Sequence, residues 1–431
     1  MSKTGDFKRV LTISNVPVTP YSAQGASRGS WFRDWDKDKL AMMSFAKADA
    51  DNDFAGHLFD VSLDERVGGK LVKKFFKPAE YKSKPEIGQT LDSKYAKKKR
   101  GLKERIKTLL GLLMFPKYSA RLEAFIADYK PEIIFSTVAD CYGARLAPFL
   151  AKKANIPYII QQEDNWLVSE TEGSLLKPLI VAVRKTCLKH SLKGAARRYV
   201  ICPGMKDYFE AVFNLPFENL LCADEPERFL PPEKHDPQKK TVFLYMGNSR
   251  PGRSGEFVKI AQSIKNNQIN NPEFQIYSTN AYKEDVEVLN AFGFVKFFET
   301  PHHDDVPMVL SRAHVLVLPE SFEEKDIEYT RLALSSKAQI FMMAKVPILV
   351  FADKRTGLMD YALKTGFGFT VTEDSQDALD QAVYSIVFDT ALREKLIEQA
   401  YQTALENHDA KKIRGALKSA LSEICNSFIQ A

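Results

Sequence analysis

Three short stretches of this chain hold residues whose types and spacing suit chemistry on phosphate and hydroxyl groups. In SSKAQIFMMAKVPILV, residues 335–350, Ser335 and Ser336 stand at the expected start of a helix, with Lys337 beside them and Pro347 ahead of a buried strand. Hydroxyl side chains satisfy the free amides of a first helical turn. Those amides and the helix dipole attract anions, and Lys337 adds a full positive charge. A diphosphate fits this layout; an ordinary capped helix feeding a core strand is the plain alternative. In YMGNSRPGRSGEF, residues 245–257, Arg250 and Arg253 follow an expected strand and precede an expected helix. Guanidinium groups placed there grip two phosphate oxygens at once, or else are solvated turn residues. In QQEDNW, residues 161–166, Glu163 and Asp164 close a strand just before Trp166. A carboxylate at such a strand end can deprotonate a hydroxyl; alternatively Asp164 caps the next helix.

The elements that must position these residues alternate in type. VLTISNV (10–16) reads as a first strand delivering a flexible loop with Pro17, Pro20, Gly25 and Gly29, and residues 31–47 read as partly helical. From Ala120 a helix, the strand EIIFSTV, a second helix and the strand PYIIQQ follow in turn, and short strands are expected at RYVIC and NLLC. After 240 the rhythm restarts with TVFLYMG and runs through EFQIYS, VKFFE, HVLVLPE and VPILVFA, each followed by a helical pattern. Residues 375–430 are helical with breaks near Asp389 and Asn407. Such alternation implies parallel sheets covered on both faces. At 431 residues the chain exceeds one hydrophobic core. The expected fold class is therefore α/β, two doubly wound Rossmann-like domains with a ligand in the cleft at their strand ends. The expected boundaries are 1–228 for a first domain with a basic insertion at about 67–116, 229–240 for a Pro-rich linker, 241–395 for a second domain, and 396–431 for C-terminal helices packing back on the first.

Composition excludes several classes. An apolar share of 45% with 27% charged residues is that of a soluble globular protein, and no apolar run is long enough to span a bilayer. The opening MSKTGDFKRVLTISNV holds no signal-peptide core, so the cytosol is expected. Cys141, Cys187, Cys202, Cys222 and Cys425 lack metal-type spacing and read as reduced, mostly buried thiols. Asp49, Asp51 and Asp53 imitate a calcium loop, but its sixth and twelfth positions hold Phe54 and Asp60 instead of Gly and Glu. Adjacent His302 and His303 cannot share one strand face. No metal site is expected.

Between residues 70 and 107 basic side chains outnumber acidic ones by ten, more than the whole chain's excess of six. The segment 94–115, KYAKKKRGLKERIKTLLGLLMF, opens with Lys94 in a basic cluster and closes with Phe115 after a Leu-rich end. This pairing suits an anionic membrane surface, each charge contributing on the order of 1 kcal/mol. The alternative is a solvated insertion whose leucines pack on the first domain. Nucleic acid is not favoured, because aromatic residues are scarce inside the cluster.

Several of these segments, in order, resemble the retaining glycosyltransferases of family 4. SNVPVTPYSAQGASRGSWF resembles that family's strand and Pro/Gly loop lining the acceptor cleft, which implies an acceptor role for Gln24 and Gly25. GLLMFPKYSARLEAFIADYKPEIIFSTVADCYGARLAPFLAKKANIPYIIQQEDNW resembles a subgroup pattern ending in an acidic pair before Trp. YMGNSRPGRSGEF resembles the phosphate loop, with Gly247 as its glycine and Arg253 at the position of its usual lysine. Asn248 stands where an arginine is usual, and Arg250 compensates. SSKAQIFMMAKVPILVF resembles the Ser-x-Lys, aromatic, small-residue, Pro sequence.

The resemblance implies the two-domain GT-B fold and metal-independent, retaining transfer of a sugar from a UDP- or GDP-linked donor to a glycan or lipid-linked glycan of a surface polysaccharide, with the enzyme peripheral on the inner face of the plasma membrane. Positive charge belongs at the leaving diphosphate, so Gly247, Asn248, Arg250, Arg253, Ser336 and Lys337 are the expected donor-binding residues. Glu320 and Glu328 reproduce the family's two glutamates, and Glu324 shares their acidic loop. In the register set by Lys337 and Pro347, however, the ribose-binding glutamate falls on Ile340. Glu163, Asp164 and Glu320 are the expected catalytic carboxylates.

Overall fold

The computed structural model describes residues 7–18, 23–47, 52–69, 79–80, 108–168, 175–249, 252–278, 281 and 283–430. Arg250, Asp49, Asp51 and most of the 94–115 segment lie outside the described residues. Packing divides the chain into two units. The first takes in the described residues up to 80, then 108–221 and the C-terminal helix from Lys411; the second takes in Cys222–Ala410. The stretch 229–240 read as a linker thus lies within the second unit, where Glu233 N donates to Ser311 O at 2.7 Å. The Thr390–Asn407 helix is in that unit too.

In the first unit, among the described residues, β1 (Val10–Ser14), β2 (Leu40–Ser44), β3 (His57–Asp60), β4 (Ile133–Thr137), β5 (Tyr158–Gln162), β6 (Arg197–Val200) and β7 (Glu218–Asn219) form one sheet in the order 3-2-1-4-5-6-7, every pair parallel. β1, β2, β4 and β5 are buried along their entire length, as strands covered on both faces must be. The sheet faces a core of Trp31, Phe32, Phe135 and Ile159, into which Leu417, Leu421 and Cys425 of the C-terminal helix insert. Helix ends follow the sequence. Ser119 Oγ accepts from Leu122 N at 3.1 Å, and Lys130 closes that helix with φ +52°, just before Pro131.

Two local expectations fail here. Gly25 and Gly29 sit inside a helix, Ala23–Phe32, in place of a flexible loop. Leu40–Ser44 is a central strand and not part of a helix. In both cases tertiary burial overrides local propensity.

The second unit repeats the plan. β8 (Thr241–Met246), β9 (Pro272–Tyr277), β10 (Val295–Phe298), β11 (Val315–Pro319), β12 (Ile348–Phe351) and β13 (Phe369–Val371) lie in the order 10-9-8-11-12-13, again all parallel. Its core joins Phe243, Tyr245, Phe257, Phe274 and Phe351 to Leu379, Val383 and Ile386 of the Gln376–Phe388 helix. Ser375 and Asp389 cap the next helices by accepting from Ala378 N and Leu392 N, which sets the break read near Asp389. In each unit the strand order reverses beside the first strand, next to β1 in one and β8 in the other, where doubly wound sheets leave a crevice beyond their carboxyl ends.

Candidate functional site

In the second unit the switch point lies between β8 and β11, paired through Phe243 with Val315 and Leu244 with Leu316. β8 runs straight into Gly247, whose φ of +136° is one that L side chains rarely adopt. β11 runs into Glu320, whose N donates to Phe351 O at 3.0 Å. The turn at residues 335–337 supplies Lys337, which lies across Gly247: a Cβ on that glycine would sit 2.0 Å from Lys337 Cε. Gly252 is similarly hemmed in, with φ +62° and the Asp326 carboxylate 2.1 Å from where its Cβ would be. Two glycines thus let charged side chains close over the β8 loop.

Arg253 is buried and largely committed within the protein. Its Nη2 donates to Glu320 Oε1 and Oε2 at 2.6 and 2.7 Å, its Nε to Pro319 O at 3.1 Å and its Nη1 to Asn248 O at 3.4 Å. Burial opposes the charge on the guanidinium, but Glu320 overcomes it and holds the pKa above the ordinary arginine value. The Asn248 carbonyl also accepts from Tyr245 Oη at 2.5 Å, which fastens the loop to β8. Lys337 differs. Among the described residues its half-buried side chain makes no hydrogen bond or ion pair. Burial, then the neighbouring Arg253, push its pKa down to about 8, with Glu320 acting the other way. The unit therefore holds an unpaired cation at its switch point, close to a second cation pinned by a carboxylate. That arrangement favours an anion.

The remaining expected donor residues fall into distinct places. The helix after the Ser-Ser-Lys turn is only Ala338–Met343, with Lys337 itself in the cap position and no side-chain cap bond. The expected capping role of Ser336 is therefore corrected. It is Ser335 that touches the turn, its Oγ accepting from Lys337 N at 3.4 Å. A short helix that starts late leaves both serines in the preceding turn. Ile340 is half-buried on this helix. Glu324 is exposed and accepts from Arg355 Nη1 at 2.9 and 3.1 Å, and Glu328 is half-buried one turn on in the Glu324–Thr330 helix. Asn248 is exposed.

In the first unit, Glu163 and Asp164 follow β5 as expected. No helix begins at Asp164; the chain bends there and turns at 166–168, with Trp166 Nε1 donating to Gln162 Oε1 at 2.7 Å. Both Glu163 oxygens are taken by Arg28, from Nε at 3.0 Å and Nη2 at 2.5 Å, in a pair exposed by only 7% on each side. A bidentate, desolvated pair of this kind is strong and specific. Asp164 is half-buried, and burial first, then the Glu163 charge, raise its pKa to about 6, against the pull of Arg28. Arg28 also borders a cavity of about 10 Å³, roughly the volume one water needs, lined by Thr12, Ser14 and Thr137 at the switch point of β1 and β4. Gly25 is buried in the helix that carries Arg28. Gln24 belongs to the same helix, and its side chain lies outside the described residues.

Sequence reading missed Arg28, which reaches Glu163 across 135 residues with no local signal. It also missed Glu256, whose pKa burial raises to about 7. Asp326, which the sequence places in the acidic loop with Glu320, Glu323 and Glu324, is buried beside Gly252 with Oδ2 unpartnered among the described residues. Among the residues of the aspartate and histidine motifs that are described, Asp53 pairs with Lys37, and His303 O and Nε2 face Arg228.

Two parallel doubly wound sheets of seven and six strands, each with the order reversal beside its first strand, constitute the GT-B fold. Solved structures with that fold match nearly the whole chain. Sucrose-phosphate synthase from Thermosynechococcus elongatus matches with a TM-score of 0.63 at 14% identity, over 97% of this chain and 99% of that one. Anabaena HepE, solved with UDP and glucose, matches with a TM-score of 0.59 at 13% identity, over 96% and 100%. WaaG, a glycosyltransferase of lipopolysaccharide biosynthesis, matches with a TM-score of 0.59 at 12% identity, over 96% and 99%. No protein-family model and no curated protein matches the sequence.

Proposed function

We propose that the protein is a glycosyltransferase moving a sugar from a UDP- or GDP-linked donor to a glycan or lipid-linked glycan of a surface polysaccharide. The observation that carries this reading is the ammonium of Lys337, half-buried, unpaired among the described residues, and laid over Gly247 at the switch point of a GT-B sheet. Lys337 binds the diphosphate and stabilises it as it leaves. Arg253, pinned by Glu320, keeps the field positive and holds the β8 loop in shape, and Arg250 adds a phosphate contact. Asp164 faces the acceptor as base or as a stabiliser of positive charge on the sugar, and Arg28 with Glu163 positions it. Retention and independence of metal follow the resemblance to family 4, and the basic segment 94–115 brings the enzyme to an anionic membrane. No helix among the described residues is long and apolar enough to cross that membrane. HepE, solved with UDP and with UDP-glucose, supports a nucleotide-sugar donor.

The test is thermal stabilisation by a panel of nucleoside diphosphates and nucleotide sugars, since a ligand that binds the folded state raises its melting temperature, followed by donor consumption with and without acceptor extracts. Stabilisation by one base class and acceptor-dependent consumption are expected. No stabilisation by any member contradicts the reading. Ile340, where the resemblance implies a glutamate, favours a second reading, a donor-binding subunit without turnover; binding with no consumption selects it. Consumption without acceptor points to an epimerase or hydrolase of the same fold.

A further inference from the structure

Two cysteines with no part in sugar transfer meet inside the first unit. Cys141 opens the Cys141–Ala154 helix, directly after Asp140, whose Oδ1 accepts from Gly143 N at 2.7 Å. Cys187 lies on the Lys177–Gly194 helix that packs against it. Both are buried free thiols, exposed by 3% and 8%, and their side chains are hydrogen-bonded to each other. Arg145, one turn along from Cys141, donates from Nη2 to Cys187 Sγ at 3.0 Å, while its Nη1 donates to Leu112 O and Met114 O at 2.8 and 2.6 Å. The guanidinium is thereby fixed against one sulfur of the pair. The bond from Cys141, then Arg145, hold the Cys187 thiol below its ordinary range despite burial, and the same bond with burial holds Cys141 above. The Arg145 fork on Cys187 favours a thiolate there, with Cys141 beside it as the protonated partner. This is the arrangement of an attacking and a resolving cysteine.

We propose that Cys141 and Cys187 form a modification site, a dithiol that a peroxide converts to an intramolecular disulfide. The Cys187 thiolate attacks a peroxide oxygen; the S–O bond forms, the O–O bond breaks, and hydroxide leaves. Cys187 is oxidised by two electrons to sulfenic acid and the peroxide is reduced. Cys141 then attacks that sulfur; the S–S bond forms, the S–O bond breaks, and the departing hydroxide takes the Cys141 proton as water. The product removes the thiolate that accepts from Arg145 and ties the first turn of one helix to the other. Asp140, next to Cys141, also accepts from Asn15 Nδ2 at 3.3 Å, so the disulfide forms beside the loop that ends β1.

The experiment treats the full chain with hydrogen peroxide, blocks remaining thiols with iodoacetamide in denaturant, and maps the peptides by mass spectrometry. A linked Cys141–Cys187 peptide is expected, reversed by dithiothreitol. In Cys141→Ser the reaction stops at a Cys187 sulfenic acid that dimedone traps, and Arg145→Lys, which keeps the charge without the fork, slows peroxide consumption about tenfold. Should Arg145→Lys misfold, the serine variant still decides. Both cysteines alkylated after peroxide, or Cys187 reaching sulfinic acid in the wild type with no linked peptide, overturns the proposal.

Discussion

Lys337 lies so close over Gly247 that a Cβ on the glycine would stand 2.0 Å from Lys337 Cε and 2.8 Å from its Nζ. Backbone and side chain make the same demand, because φ at Gly247 is +136°. Gly247→Ala must therefore strain the loop and push the ammonium away. It should lower stability by about 2 kcal/mol and weaken nucleoside diphosphate binding at least as much as Lys337→Met does. Chemical denaturation and calorimetric titration with UDP and GDP check both effects.

Lys337 also sets a pH dependence whose sign is fixed. Its folded pKa of about 8 lies below the ordinary 10.5. Between those values the unfolded chain binds more protons than the folded one, so stability rises as pH climbs from about 8 to 10.5. Diphosphate affinity should move the opposite way, falling as the ammonium loses its proton above about pH 8. Lys337→Met should bind weakly and without that fall, as titrations from neutral to alkaline pH would show.

Arg253 and Lys337 should separate in mutagenesis although both are cations of one site. Arg253→Ala leaves Glu320 buried and unpaired, which should cost about 3 kcal/mol of stability. Lys337→Met breaks no hydrogen bond or ion pair among the described residues and removes a charge that burial disfavours, so it should not lower the melting temperature at neutral pH. Removing the charge pair together, Arg253→Met with Glu320→Leu, should recover much of the stability lost in Arg253→Ala. Melting curves of the three variants decide the matter.

In the first unit, Glu163→Gln should destabilise by about 3 kcal/mol, because it strands the buried Arg28 charge. Asp164→Asn should instead spare the fold and reduce turnover. Its carboxyl, raised from 3.8 to about 6, holds its proton more tightly in the folded protein than in the unfolded. Stability contributed by Asp164 therefore falls as pH rises across that window, and the Asn variant removes the fall. If Asp164 is the base, kcat rises with an apparent pKa near 6 in the wild type.

The parallel α/β architecture was legible because strands buried on both faces are continuous apolar runs, as in TVFLYM and VLVLP. Gly247 could be picked out because it ends such a run, and Arg253 and Lys337 because each stands ahead of an expected helix. What Arg253 does was not legible. Its bond to Glu320 spans 67 residues and turns an expected phosphate clamp into a buried ion pair. Arg28 was missed for the same reason. Ser336 was misplaced because cap geometry depends on where the helix begins, and here the first helical residue is Ala338. Leu40–Ser44 was misread because its burial comes from β1 and β3 on either side, which periodicity within LAMMS does not reveal.

The proposed diphosphate site of this nucleotide-sugar enzyme is the Lys337 ammonium over Gly247. Calorimetric titration of the wild type and Lys337→Met with UDP and GDP at neutral pH tests it directly. Binding of one nucleotide by the wild type, weakened at least tenfold in a variant that keeps its melting temperature, is the predicted result. Equal affinity in the two proteins, or no binding of either nucleotide to the wild type, would contradict it.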